Sequence, residues 1–227
     1  MSYMNAVLAI ETSVPEASVS LWCDGEMVFG EEFTTDRSHN SMIFDPLSRA
    51  LEILDGHKLS LVIAGTGPGS YSGTRVGIAA GQGLAIAHDC PAVGIGSLAA
   101  TPEARGEEQS IAIGDARRGL YYVSPIDTHG EAMEAELMDA NAFHQRLTSA
   151  ADSRLFTLDN PAQLNLPDNL AQRVSHSRPE AKWLVDIWLG LDDSRRDALK
   201  QKPLAPAYLR PPFTSKAKAG HPLLRQS

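Results

Sequence analysis

The chain has 227 residues, 43% of them hydrophobic and 21% charged, a formal net charge of −8 and two cysteines. This is the composition of a soluble globular chain with room for one large core or two small ones. It excludes a broadly basic nucleic-acid face, a disulfide framework and a cysteine zinc site, because no Cys-x-x-Cys pair is present.

Asn5 to Ser13 (NAVLAIETS) is a short apolar run suited to a strand. No basic region or long apolar core at this end suggests a signal peptide, and no apolar stretch reaches membrane-spanning length. Cys23 and Cys90 read as buried thiols in a reducing compartment, so the cytoplasm is the expected location. Glu16 to Cys23 alternates, with Ala17, Val19, Leu21 and Cys23 on one side and Ser18, Ser20 and Trp22 on the other, predicting a half-buried strand. Asp24-Gly25 is a tight-turn pair, and Glu26 to Thr34 is the returning strand of an antiparallel meander.

A helix is expected within Ser38 to Leu54, with Leu47, Ala50, Leu51 and Leu54 as its apolar stripe. Either Asp45 caps it with Pro46 in the first helical position, or it starts near Ser38 and Pro46 kinks it. Leu59 to Gly65 is a strand, about Tyr71 to His88 a helix, and Pro91 to Ile95 a further strand. The order β-β-β-α-β-α-β is that of the ribonuclease H-like unit shared by actin-like and sugar-kinase folds. Thr101 to Gln109 is polar and marks a boundary. Strands follow at Ser110–Gly114, Leu120–Ile126 and Arg154–Leu158, with helices near Asp139–Ala150 and at Glu180–Leu189. Residues 1–102 and 103–213 are thus expected as two lobes. The basic, proline-bearing tail at 214–227 is expected to be disordered.

The stretch GTGPGSYSGTRVGIAAGQG (Gly65–Gly83) raises the question of phosphate binding. A P-loop fails because no lysine lies between Leu59 and Pro102, and the dinucleotide fingerprint fails at Ser70 and Ser72. A strand–loop–helix junction still offers backbone N–H groups to an anion. Gly65, Gly67 and Gly69 around Pro68 make a tight turn. Gly73, Gly77 and Gly81 are four apart and share one side of the following helix. Each costs roughly 1 kcal/mol relative to alanine, so another backbone must approach closely there. That backbone belongs either to this chain's own sheet or to another chain. Tyr71, Arg75, Ile78 and Gln82 share a different, mixed side, as interfaces often do.

Catalytic signatures are missing. No Gly-x-Ser-x-Gly elbow occurs, and no two of the seven histidines are four apart, so neither a nucleophile nor a helical metal pair is indicated. On those grounds a peptidase is disfavoured. Glu11, Asp115, Glu131 and Asp139 are isolated carboxylates, of which Glu11 at the end of the first strand is best placed for chemistry.

The blocks LAIETS (Leu8–Ser13), ASVSLW (Ala17–Trp22), GTGPGSYSGTRVGIAAGQGLA (Gly65–Ala85), VGIGSLAA (Val93–Ala100), DARRGLYY (Asp115–Tyr122) and APAYLRPP (Ala205–Pro212) closely resemble the TsaB (YeaZ) family. The resemblance implies an α/β, actin-like (ASKHA) fold of two ribonuclease H-like lobes. It also implies an accessory subunit that is not an enzyme itself. Its partner would be TsaD, which threonylcarbamoylates adenosine 37 (t6A37) of tRNAs reading ANN codons. TsaE would join the complex, TsaC would supply threonylcarbamoyl-adenylate, and tRNA would be met through the complex. The resemblance also implies a homodimer when the chain is isolated, since members often use the partner-binding surface to pair with themselves. The implied partner interface comprises His39, Met42, Ile43, Leu47, Tyr71, Gly73, Arg75, Gly77, Ile78 and Gln82. TsaD carries an H-x-x-x-H metal pair on its first helix; here Ile43 follows His39 at that spacing, so no metal is expected. Glu11 stands where many members have aspartate. Glu11, Thr12, Gly67 and Gly69 are the candidate nucleotide contacts, with no cofactor held firmly by the chain alone and ADP or ATP at the partner interface. The alternative is an actin-fold ATPase or phosphotransferase using Glu11 and the Gly65–Gly69 turn.

Overall fold

A computed structural model describes residues 5–34, 40–54, 56–106, 109–127 and 130–209, without the side chains of 40 and 41. His39 and the tail at 214–227 lie outside the described residues. The first half forms β1 (Asn5–Glu11), β2 (Glu16–Cys23), β3 (Glu26–Thr34), α1 (Phe44–Glu52), β4 (Lys58–Gly65), α2 (Tyr71–Ala87) and β5 (Ala92–Ile95). These strands make one sheet of order β3-β2-β1-β4-β5. β1, β2 and β3 are antiparallel, and β4 and β5 join parallel to β1.

The second half repeats the plan. β6 (Ser110–Asp115), β7 (Leu120–Pro125) and β8 (Glu136–Asp139) are antiparallel. After α3 (Ala140–Ser149), β9 (Arg154–Thr157) joins parallel to β6. After α4 (Asp168–Ala171), β10 (Val174–His176) joins parallel to β9. The sheet order β8-β7-β6-β9-β10 reproduces that of the first. Two mixed sheets of the same topology make the fold α/β and actin-like, two ribonuclease H-like lobes in sequence.

Two helices then leave the second lobe. α5 (Ala181–Gly190) lies across β1, β2 and β4 of the first sheet, and α6 (Asp193–Gln201) lies beside β5. The two helices thus follow the second sheet in the chain and pack on the first. Leu184, Val185, Ile187 and Trp188 of α5 bury against Ala9, Leu61, Ile63 and Val93. A fully buried side chain of this kind contributes roughly 1.5–3 kcal/mol. This is also why β2 is buried on both faces, against the half-buried strand that its alternation predicts. Ser18 is 5% exposed, and its Oγ accepts a 2.8 Å hydrogen bond from the Ala181 amide at the start of α5. A serine facing a helix N-terminus satisfies an amide with no partner in its own helix.

The start of α1 follows neither expected alternative. A 3₁₀ turn at Asn40–Ile43 runs into the helix, and Pro46 falls within its first turn, where a missing N–H costs no helical bond. The antiparallel meander and the Asp24-Gly25 turn are as the sequence predicts, both turn residues having positive φ. The short edge strands β8 and β10 and the polar α6 carry no periodic signal and are additions from the structure.

α2 is seated on β1 by its glycine side. A Cβ at Gly73 would overlap the Thr12 carbonyl oxygen, and one at Gly77 would overlap the Thr12 Oγ1. Gly83, on the other side, has nothing within 4 Å of that position. Substitutions at these two glycines should therefore move stability in opposite directions. Gly73→Ala should destabilise by about 1–3 kcal/mol through overpacking, and Gly83→Ala should stabilise by up to about 1 kcal/mol through helix propensity. Thermal unfolding of the two variants checks this, and equal losses would remove the seating argument.

Candidate functional site

The site expected from the sequence lies where β1 ends and α2 begins. Thr12 donates its hydroxyl to the Gly73 carbonyl at 2.8 Å, and the Ser70 amide donates to the Ser13 carbonyl at 2.6 Å. Ser70 caps α2, its Oγ accepting from the Gly73 amide. On the other side of the turn, Gly67 N–H donates to Ser97 Oγ and Ser97 N–H to the Gly67 carbonyl, both at 2.9 Å. The amides of Gly67 and Ser70 are thus already used within the chain.

Glu11 sits under this turn and is fully buried. Its Oε1 accepts from the Ser13 amide at 2.7 Å, while Oε2 is buried without a hydrogen-bond partner among the described residues. The carboxyl presses against the Cα of Gly65, where any Cβ would collide with it. Burial pushes the Glu11 carboxyl above its ordinary value, against the opposing pull of Ser13 and Ser97. Glu11, Thr12 and Gly67, expected as nucleotide contacts, take part in closing the turn from within: Thr12 is 2% exposed and Gly67 is buried. Gly69 remains exposed, held tightly against Ser13. Ser97, which closes the turn, was identifiable from the sequence only as part of the VGIGSLAA block.

The expected interface residues divide sharply. Ile43 is fully buried and Leu47 is 4% exposed, both packed with Leu8, Val19 and Leu21 in the chain's own core. Replacement of the second histidine by Ile43 thus serves that core, a correction to its reading as a partner contact. Gly73 and Gly77 face β1, and Ile78 packs with Ala64 and Leu204, so these three are corrected likewise. Of the two backbones proposed to approach the glycines, it is this chain's own. Met42, Tyr71, Arg75 and Gln82 are exposed.

What α2 shows to solvent is its opposite side: Tyr71 at 64% exposure, Arg75, Ala79, Gln82, Gly83 and Ile86 at 83%. Arg75 is its single charge. Phe44 at the start of α1 adds another exposed apolar ring. Sequence periodicity missed Ala79, Gly83 and Ile86, because small residues lie all round this helix and the glycines drew attention to the buried side.

In the second lobe, the β6–β7 turn carries Asp115, which accepts from the Arg117 amide at 2.7 Å and pairs with its guanidinium at 3.2 Å. Asp159, which no motif marked, accepts from the Asp115 amide and helps raise the hydroxyl pKa of buried Tyr122, after burial itself. Among the described residues no group of three His, Cys, Asp or Glu side chains is arranged to hold a metal, and no helix is long and apolar enough to cross a membrane.

Residues 33–183 match the family model of TsaD, tRNA N6-adenosine threonylcarbamoyltransferase. The chain is 31% identical over 154 residues to the tRNA threonylcarbamoyladenosine biosynthesis protein TsaB of Escherichia coli, covering 62% of this chain and 65% of that protein. It is 33% identical over 126 residues to the protein of the same name from Haemophilus influenzae, covering 53% of each. The matches thus span about two thirds and about half of those two relatives. A protein of Mycobacterium bovis with no assigned function is 28% identical over 216 residues, 92% of this chain and 93% of its own. YeaZ from Pseudomonas aeruginosa superposes with a TM-score of 0.69 at 22% identity, over 91% of this chain and all of that one, which agrees with the fold described above.

A buried carboxyl with a raised pKa makes stability depend on pH in a definite sense. The folded state binds the Glu11 proton more tightly than the unfolded chain, where glutamate titrates near 4.3. The stabilisation is fully present below that value and is lost as the pH rises through the folded-state pKa. Glu11→Gln, which cannot ionise, should therefore lose less stability than the parent as the pH rises above the ordinary glutamate range. Unfolding midpoints measured over rising pH check it; parallel pH profiles would show that Glu11 carries its charge without cost.

Proposed function

The chain belongs to the family described by the TsaD model, as a TsaB (YeaZ) member, and on that premise we propose that it is the non-catalytic partner of a TsaD-type transferase in threonylcarbamoylation of tRNA adenosine 37. The observation that carries this reading is the outer side of α2. A face with Ile86 at 83% and Tyr71 at 64% exposure, Ala79 and Gly83 between them and one charge across it is poorly suited to water. Small residues let another helix approach closely, and aromatic and arginine side chains are the usual anchors of protein interfaces. The occupant is the corresponding helix pair of the transferase, with TsaE bound to the assembly and TsaC upstream as source of the activated threonylcarbamoyl group. Nucleotide, in this reading, belongs to the assembly at the joint between subunits. The closed turn over Glu11 supports a role in binding rather than in phosphoryl chemistry, since a buried carboxyl with a raised pKa is a poor organiser of magnesium and phosphate.

Reconstitution with the transferase, TsaC, TsaE, ATP, threonine, bicarbonate and tRNA tests the proposal: modification should require this chain, and equal rates without it would overturn the reading. Ile86→Glu and Gly83→Leu should each weaken binding to the transferase by about tenfold or more, measured by calorimetry, with circular dichroism unchanged because both sites are exposed. Unaltered affinity in both variants would remove α2 from the interface.

A further inference from the structure

After α6 the chain does not leave the molecule. Residues 202–209 (KPLAPAYL) return along the first lobe as an extended strap, stiffened by Pro203 and Pro206. Leu204 is buried against Ala64 and Ile78, and its carbonyl accepts from Gln82 Nε2 at 3.0 Å. The Ala207 amide donates to the Thr66 carbonyl at 2.8 Å, fixing the strap to the glycine turn. Leu209 then packs into the cluster between the lobes. Between those anchors Tyr208 is 46% exposed, and its hydroxyl accepts from Arg75 Nε at 3.1 Å and from Nη2. The Arg75 guanidinium lies 3.8 Å from the ring centroid of Tyr71 and 5.6 Å from that of Tyr208.

An exposed arginine ordinarily sweeps many rotamers, and ordering it on binding costs affinity. Here two tyrosines and a hydroxyl acceptor hold it, yet no carboxylate pairs with it among the described residues. The stack is continuous with the outer face of α2 through Gln82, which holds the strap at Leu204. We propose that this strap is a third element of the partner-binding face beside α1 and α2, and that Tyr208 positions Arg75 to receive a carboxylate from a helix of the partner subunit. The inference rests on the transferase as that partner. A helix is the element that fits, because Ala79 and Gly83 leave room for close backbone approach. A carboxylate is the group that fits, because the face presents a fixed cation and no anion of its own on α2.

The experiment measures binding of the full chain to the transferase by calorimetry at low and high salt, for the parent and for Tyr208→Ala, Tyr208→Phe and Arg75→Gln. Tyr208→Ala is expected to weaken binding by about tenfold. Tyr208→Phe, which keeps the ring and loses the acceptor, should fall between it and the parent. Arg75→Gln should weaken binding and flatten its salt dependence, which a purely structural role would not do. Parent-like affinity of Tyr208→Ala and Arg75→Gln, with Ile86→Glu still impaired, would overturn the strap while leaving the α2 face standing. Failure of the parent itself to bind would overturn both. A change confined to self-association, seen by sedimentation, would assign the stack to contact between copies of this chain and overturn the proposal.

Discussion

The close contact between the glycine edge of α2 and the end of β1 governs the first lobe. A helix can lie this near a strand end only where it has no side chains, and Gly73 and Gly77 provide that clearance over Thr12. The Thr12 hydroxyl to Gly73 carbonyl bond then fixes the register of the helix on the sheet. Three things follow from the one contact. The turn before the helix is drawn shut by Ser13, Ser70 and Ser97, Glu11 is sealed beneath it, and the opposite side of the helix is left uncovered.

The packing of the C-terminal third makes the arrangement permanent. α5 covers the far face of the first sheet, so β1, β2 and β4 are buried on two sides while their lobe belongs to the chain's first half. A polar contact between the halves adds to this, the Glu180 amide donating to the Ala100 carbonyl. Within the second half, Ser175 and Ser177 donate to the Glu103 carboxylate, and Arg195 of α6 pairs with Glu131. The surface ion pair contributes little, but the apolar cover of α5 is of the kind that resists separation. Two lobes tied in this way form a rigid support for whatever meets α2.

Much of this architecture is legible in the sequence because the first sheet uses local signals: alternating strands, a tight Asp-Gly turn and a helix after a glycine turn. β8, β10 and α6 were not legible. The two strands are three or four residues long, and α6 buries no residue, so only Asp192 as N-cap announces it. The candidate site was legible in location and misread in orientation. A glycine row at i, i+4 states that something comes close, but not whether it is the chain's own sheet. Ile43 and Leu47 were misassigned for the same reason, since an apolar residue on a helix is equally suited to a core and to a partner. Tyr208 meets Arg75, and Leu204 meets Gln82, across more than a hundred residues of sequence, contacts that no periodicity contains.

The fate of Glu11 connects these observations to function. A carboxylate that organises a metal and phosphate must be ionised and open to the ligand, and it is stabilised there by the charge it binds. Glu11 lies sealed under Gly65 with one oxygen unpartnered among the described residues, and burial pushes its carboxyl above the ordinary value, which disfavours the charged form. Reopening the site would mean separating α2 from β1, the contact on which the lobe is built. The same packing of α2 on the end of β1 closes the turn over Glu11 and leaves the outer side of α2, with Tyr71 and Ile86, facing solvent.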